Sequence, residues 1–133
     1  MAETPRLTLS LMTETLAVAR MAPGDVPPAW LDFSISFLSV TRTADEISIV
    51  APESAVPDRV RAERGWRAFK VEGPLDFSMT GVLASIAGPL AEAGVPIFAL
   101  STYDTDYVLV RGGDLGRARE VLARTHRVQR GSG

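Results

Sequence analysis

Leu7, Leu9 and Leu11 alternate with Thr8 and Ser10, the two-residue period of a strand with one buried face. Thr13-Glu14 falls where a tight turn would separate this strand from a second, shorter one over Thr15–Met21. Ala22 to Pro28 holds three prolines and a glycine, which leaves room for no more than one helical turn. Phe33 to Thr41, apolar, β-branched and aromatic, predicts a third strand, and Glu46 to Ala51, with Ile47 and Ile49 on one face, a fourth. Pro52 to Gly65 carries two prolines and six charges and predicts a linker or a short surface helix.

The pattern changes after Trp66. Trp66 to Gly73 predicts a strand stopped by Gly73-Pro74. Met79, Val82, Leu83, Ile86, Ala87 and Leu90 follow helical spacing, with Ser78 as N-cap and Gly94 as C-terminal stop. Pro89 conflicts with an unbroken helix, so a bend near Gly88-Pro89 is expected. Pro96–Tyr103 and Asp106–Arg111 predict two strands joined at Asp104-Thr105. Asp114 then caps a last helix that turns Leu115, Ala118 and Leu122 inward and pairs Glu120 with Arg124 outside. His126 to Arg130 predicts an edge strand. This half reads β-α-β-β-α-β, the ferredoxin-like order, and the first half repeats its strands with the helices shortened. The expected class is therefore α+β, as two tandem modules with antiparallel sheets and helices on one face. The first, degenerate module takes residues 1–62 and the second 63–130, with 131–133 as a disordered tail.

Composition then narrows the chemistry. A chain of 133 residues with 46% hydrophobic and 23% charged positions can bury a core but is too short for a catalytic domain plus a regulatory one. Fourteen basic against sixteen acidic residues leave a net charge of −2, against a dedicated nucleic-acid binder. There is no cysteine and one histidine, so disulfides, thiolate zinc sites and thiol nucleophiles are excluded, and no metal or cofactor is expected. His126 lies in a polar tail with no carboxylate or serine at a spacing that would make a relay. Thirteen of the fourteen basic residues are arginine, as coding in a GC-rich bacterial genome produces. The start of the chain lacks a basic-then-apolar leader and Val82–Leu100 is broken by Pro89, Glu92, Gly94 and Pro96, which predicts a cytoplasmic protein without a membrane span. Arg111-Gly112-Gly113-Asp114 lacks the lysine and spacing of a phosphate loop. The arginines from Arg111 to Arg130 predict a solvated helix face rather than a nucleic-acid or acidic-partner surface.

Three stretches carry a resemblance: Ser78-Met79-Thr80-Gly81-Val82-Leu83, Leu90-Ala91-Glu92-Ala93-Gly94-Val95-Pro96-Ile97, and Leu100-Ser101-Thr102-Tyr103-Asp104-Thr105-Asp106 with Tyr107–Val110. In this order and spacing, over residues 66–124, they resemble the ACT domain. They look most like the ACT modules of aspartate kinases and, closer still, the small tandem-ACT proteins related to the CASTOR arginine sensors. Aspartate-kinase modules carry more glycine where this chain has Leu75-Asp76-Phe77.

The resemblance implies a non-enzymatic regulatory module that binds a free amino acid, forms a homodimer and signals to a partner protein. It implies that Ser78, Met79, Thr80 and Gly81 form a carboxylate loop, that Ser101, Thr102 and Tyr103 supply contacts from a strand end, and that Asp106 takes the ammonium or a basic side chain. Elementary chemistry agrees, since a helix N-terminus suits a carboxylate, and strand carbonyls with a carboxylate suit an ammonium. Binding would order the Gly73–Gly81 segment and the Asp104 turn. Structural readings stand beside these: Ser78 as a simple cap, Asp104 as a turn residue, Asp106 as strand-edge polarity, Thr102 as half-buried sheet, and Tyr103 as a core or interface aromatic. The alternative function is a constitutive interaction module with a vestigial pocket.

Overall fold

The computed structural model describes residues 6–73, 75 and 80–131. Its elements are β1 (Thr8–Met21), β2 (Ser39–Arg42), β3 (Ile47–Pro52), β4 (Ala62–Val71), α1 (Val82–Glu92), β5 (Ile97–Ser101), β6 (Asp106–Arg111), α2 (Leu115–Leu122) and β7 (Arg127–Arg130), with 3₁₀ turns at Glu53–Ala55 and Gly112–Asp114. The chain divides into two compact units, one of Met1–Thr13 with Arg67–Gly133, the other of Glu14–Trp66. The units are thus interleaved along the chain, and β1 and β4 each contribute to both.

The first unit is ferredoxin-like and holds its strands in the order β7-β1-β4-β6-β5. Without β1, the strands of the later β-α-β-β-α-β run would stand in ferredoxin order; the first half of β1 is inserted between β7 and β4. Thr8–Leu11 pairs with Arg127–Arg130 in parallel, while β5 and β6 form an antiparallel hairpin with Ser101 opposite Asp106. Leu7, Leu9, Leu11, Phe69, Val71, Val108 and Val110 turn one sheet face onto Val82, Ile86 and Leu90 of α1 and Ala118, Val121 and Leu122 of α2. Both helices therefore pack into one core on one face. At roughly 25 cal/mol per Å² of apolar area, burial of each such large side chain is worth about 1.5–3 kcal/mol.

In the second unit the order is β2-β3-β1-β4, with Leu16–Met21 antiparallel to Ile47–Pro52. Its core holds Ala17, Ala19, Ile47, Ile49, Ala51 and Val56. Trp30, Leu31, Ile35 and Leu38, from a segment without a helix, cover this core as helix side chains would.

Several local expectations are corrected. β1 is one 14-residue strand, not two with a turn at Thr13-Glu14. Neither residue demands a turn conformation, and the strand is held by β7 over Thr8–Leu11 and by β3 over Leu16–Met21. The strand expected over Phe33–Thr41 shortens to Ser39–Arg42. Asp32 Oδ1 accepts the Ser34 N–H at 2.9 Å and Asp32 O accepts the Ile35 N–H at 3.0 Å, an Asx turn that diverts the backbone from a ladder. Gly81, not Ser78, precedes the first residue of α1; its φ of +76° suits glycine and breaks the helix on its N-terminal side. Asp114 occupies the cap position of α2 but makes no side-chain cap bond, because a 3₁₀ turn leads directly into the helix.

Other local readings stand. Gly94, at φ +75°, ends α1, and the Val95 N–H reaches back to Leu90 O at 2.9 Å, closing a Schellman turn. Arg124 and Glu120 approach to 3.9 Å on the exposed side of α2. The arginines at 111, 117, 119, 124, 127 and 130 are all exposed, but only Arg117 and Arg119 lie within a helix. Arg111, Arg127 and Arg130 are on β6 and β7, so the expected helix face is not one surface of α2. No helix among the described residues is long and apolar enough to cross a membrane.

Candidate functional site

At one end of the first unit, the connection leaving β4 meets the turn between β5 and β6. Backbone and hydroxyl bonds join them. The Leu75 N–H donates to Asp104 O at 2.7 Å, and the Thr105 hydroxyl donates to Val71 O. Thr105 is buried to do so, one of few polar side chains among the described residues that are. Gly73 makes the approach possible: a Cβ there would stand 2.9 Å from Leu75 N and 3.2 Å from Asp104 O, both backbone atoms. The turn is closed by the Thr102 N–H donating to Thr105 O at 2.8 Å and the Thr105 N–H donating to Thr102 Oγ1 at 3.3 Å.

Of the residues expected to bind a ligand, Ser78 and Met79 lie outside the described residues. Thr80 and Gly81 are exposed and lead straight into α1. The first intrahelical bond runs from the Ser85 N–H to Gly81 O, so the amides of Val82, Leu83 and Ala84 have no partner within the helix. A Cβ on Gly81 would meet nothing within 4 Å, so the space beside this backbone is open. On the hairpin, Ser101 Oγ donates to Asp106 Oδ1 at 2.7 Å, which joins two of the expected residues across the first register position. Thr102 is exposed just beyond β5 rather than half-buried in the sheet, because its hydroxyl and N–H close the turn with Thr105. Tyr103 is 81% exposed and projects from the turn rather than packing in a core.

A shallow recess of about 240 Å³ opens where these parts meet, lined by Lys70, Glu72, Gly73, Asp104 and Thr105. It falls below the roughly 300–1,000 Å³ of pockets for drug-sized ligands. Its lining offers both charges, an ammonium on Lys70 and carboxylates on Glu72 and Asp104. Lys70 and Glu72 were not among the expected site residues. The signal that points to them is small: the one lysine in an arginine-rich chain, three residues before the glycine on which the close approach depends. Among the described residues no group of three or more His, Asp or Glu side chains is arranged to hold a metal.

Comparison with known proteins adds a family to this geometry. The ACT-domain family model matches residues 61–124, and a second model, of an N-terminal domain, matches residues 14–59. The human protein named cytosolic arginine sensor for mTORC1 subunit 1 is 42% identical over 60 residues, 44% of this chain and 18% of that protein. The human putative protein CASTOR3P is 33% identical over 92 residues, 59% of this chain and 56% of that one. This chain therefore spans less than a fifth of the first relative and little over half of the second. A crystal structure of an Agrobacterium tumefaciens protein superposes with a TM-score of 0.89 at 38% identity, over 97% of this chain and 96% of that one. The regulatory subunit of Thermus thermophilus aspartate kinase shares the fold alone, with a TM-score of 0.62 at 10% identity over 88% of this chain and 96% of that one.

Proposed function

We propose that this chain, a member of the ACT-domain family, binds a free amino acid in the first unit and passes its bound state to a partner protein without catalysing a reaction. The observation that carries the reading is the Leu75–Asp104 backbone bond, which holds Leu75 against the Thr102–Thr105 turn. An amino acid needs donors for its carboxylate and acceptors for its ammonium within one molecule's reach. Thr80, Gly81 and the amides of Val82 and Leu83, which have no partner within the helix, receive the carboxylate together with Ser78 and Met79. Ser101, Thr102, Tyr103 and Asp106 receive the ammonium, or the basic side chain of an amino acid that carries one.

The ligand class is supported by the ACT-domain match and by the arginine-sensor name of the curated relatives, so L-arginine is the first amino acid to try. The chain acts in the cytosol as a homodimer, and the signal leaves through a partner that a bound ligand selects by favouring one arrangement of the protein by a few kcal/mol.

Thermal unfolding against each of the twenty amino acids at millimolar concentration tests this. A ligand at 100 times its Kd adds about 2.7 kcal/mol of stability, which for a domain of this size raises Tm by roughly 10 °C. One or two amino acids should produce a shift that Asp106→Ala abolishes while the unliganded Tm stays within a few degrees. A flat response to all twenty would remove the sensing function and leave a constitutive interaction module.

A further inference from the structure

The histidine that the sequence places in a polar tail is 3% exposed in the fold, and both of its ring nitrogens are engaged. Nδ1 accepts the Leu7 backbone N–H at 3.1 Å. An accepting Nδ1 carries no proton, so the neutral ring has its proton on Nε2, which stands 3.1 Å from Ser85 O and donates to it. That carbonyl is a particular one. In α1 the partner of Ser85 O would be the N–H of the residue four positions on, and that residue is Pro89, which has none. Ser85 is itself buried, and the ring N–H of His126 stands where that missing donor would have been needed.

Ser85 then reaches the start of the helix by two further bonds. Its N–H donates to Gly81 O at 2.9 Å, and its hydroxyl donates to Val82 O at 2.7 Å. From His126 to the residues at which the amino-acid reading puts a carboxylate there are thus two successive hydrogen bonds, all within the first unit. We propose that His126 is a positioning residue for the candidate ligand site: it supplies the N–H that Pro89 lacks and, through Ser85, sets where Gly81 and Val82 stand. The arrangement also explains how α1 continues past Pro89 to Glu92 as one helix. It ties that helix to the first strand at Leu7 and to β7, whose Arg127 N–H donates to Leu7 O at 2.9 Å.

The inference rests on the amino-acid reading for the purpose of the site, but its test needs no ligand, so the two can fail separately. A double-mutant cycle of His126→Phe and Pro89→Ala separates this role from ordinary core packing. Pro89→Ala restores an N–H four residues after Ser85, so the histidine becomes redundant at that carbonyl. In the chain that keeps Pro89, His126→Phe should lower Tm by roughly 5–10 °C, from a buried carbonyl and a buried amide left without partners. In the Pro89→Ala background the loss should fall to about half. The backbone amide NMR signals of Gly81, Val82 and Leu83 should move in His126→Phe and return toward their original positions in the double variant. In the unaltered protein the ring ¹⁵N shifts should report a proton on Nε2 and none on Nδ1. Equal Tm losses in the two backgrounds, unmoved amides at 81–83, or a proton on Nδ1 would each overturn the proposal. If His126→Phe does not fold, His126→Asn, polar but too short to span Leu7 and Ser85, carries the same cycle.

Discussion

Gly73 shows how one missing side chain sets the geometry of the site. The Leu75 N–H and Asp104 O meet across the space a Cβ would fill, so Gly73→Ala must push two backbone segments apart. The expected cost is about 1–3 kcal/mol in denaturant unfolding, with the Leu75 amide losing protection from hydrogen exchange. Asp32 is a second residue whose surroundings can be read directly. The Ser34 N–H bonded to its carboxylate holds its pKa below the usual value of 3.8. A depressed carboxylate pKa favours the folded state above the unfolded value and loses that contribution as pH falls through the folded one. A carboxyl NMR titration should therefore find the Asp32 midpoint below that of a short reference peptide, and Ser34→Pro, which removes the donor, should bring it back up.

At the scale of elements, the helix glycines separate local from tertiary causes. Gly94 holds φ +75° at the end of α1, so Gly94→Ala should cost about 1 kcal/mol. Gly116 lies inside α2, has no positive φ, and a Cβ there would meet nothing within 4 Å. Gly116→Ala should instead add roughly 0.5–1 kcal/mol, and parallel thermal melts of the two variants would check the opposite signs. The features legible in the sequence were of this local kind. The apolar period of α1, the glycine that ends it, the β5–β6 hairpin and the Glu120–Arg124 pair each depend on residues a few positions apart. What was not legible depends on partners far along the chain. Nothing around Thr13-Glu14 reports that β1 runs on, because its pairing is decided by β3 at one end and β7 at the other. The flanks of His126, Thr125 and Arg127, are polar, so its burial follows only from Leu7 and Ser85. The candidate site was half legible: its hairpin and helix start stand together in the sequence motifs, whereas Lys70 and Glu72 come to line the recess only through the strand that ends beside the turn.

For the whole molecule, the ACT-domain match at residues 61–124 and the physical unit are different objects. The first unit needs Leu7, Leu9 and Leu11 in its core and the first half of β1 between β7 and β4. A fragment beginning at Arg61 should therefore show no cooperative transition in a circular-dichroism melt, and a linked copy of residues 6–13 should restore one. The same insertion has a consequence for how the chain is made. Leu7 and His126, which bond to each other, are 119 residues apart. At 5–20 residues per second, a ribosome takes about 6–24 s to deliver the second after the first. For that interval an apolar strand of alternating leucines has been synthesised and its final neighbour has not. The unit cannot close before Arg127–Arg130 has been made, and in the cell its earliest strand must be kept from other partners until that strand arrives.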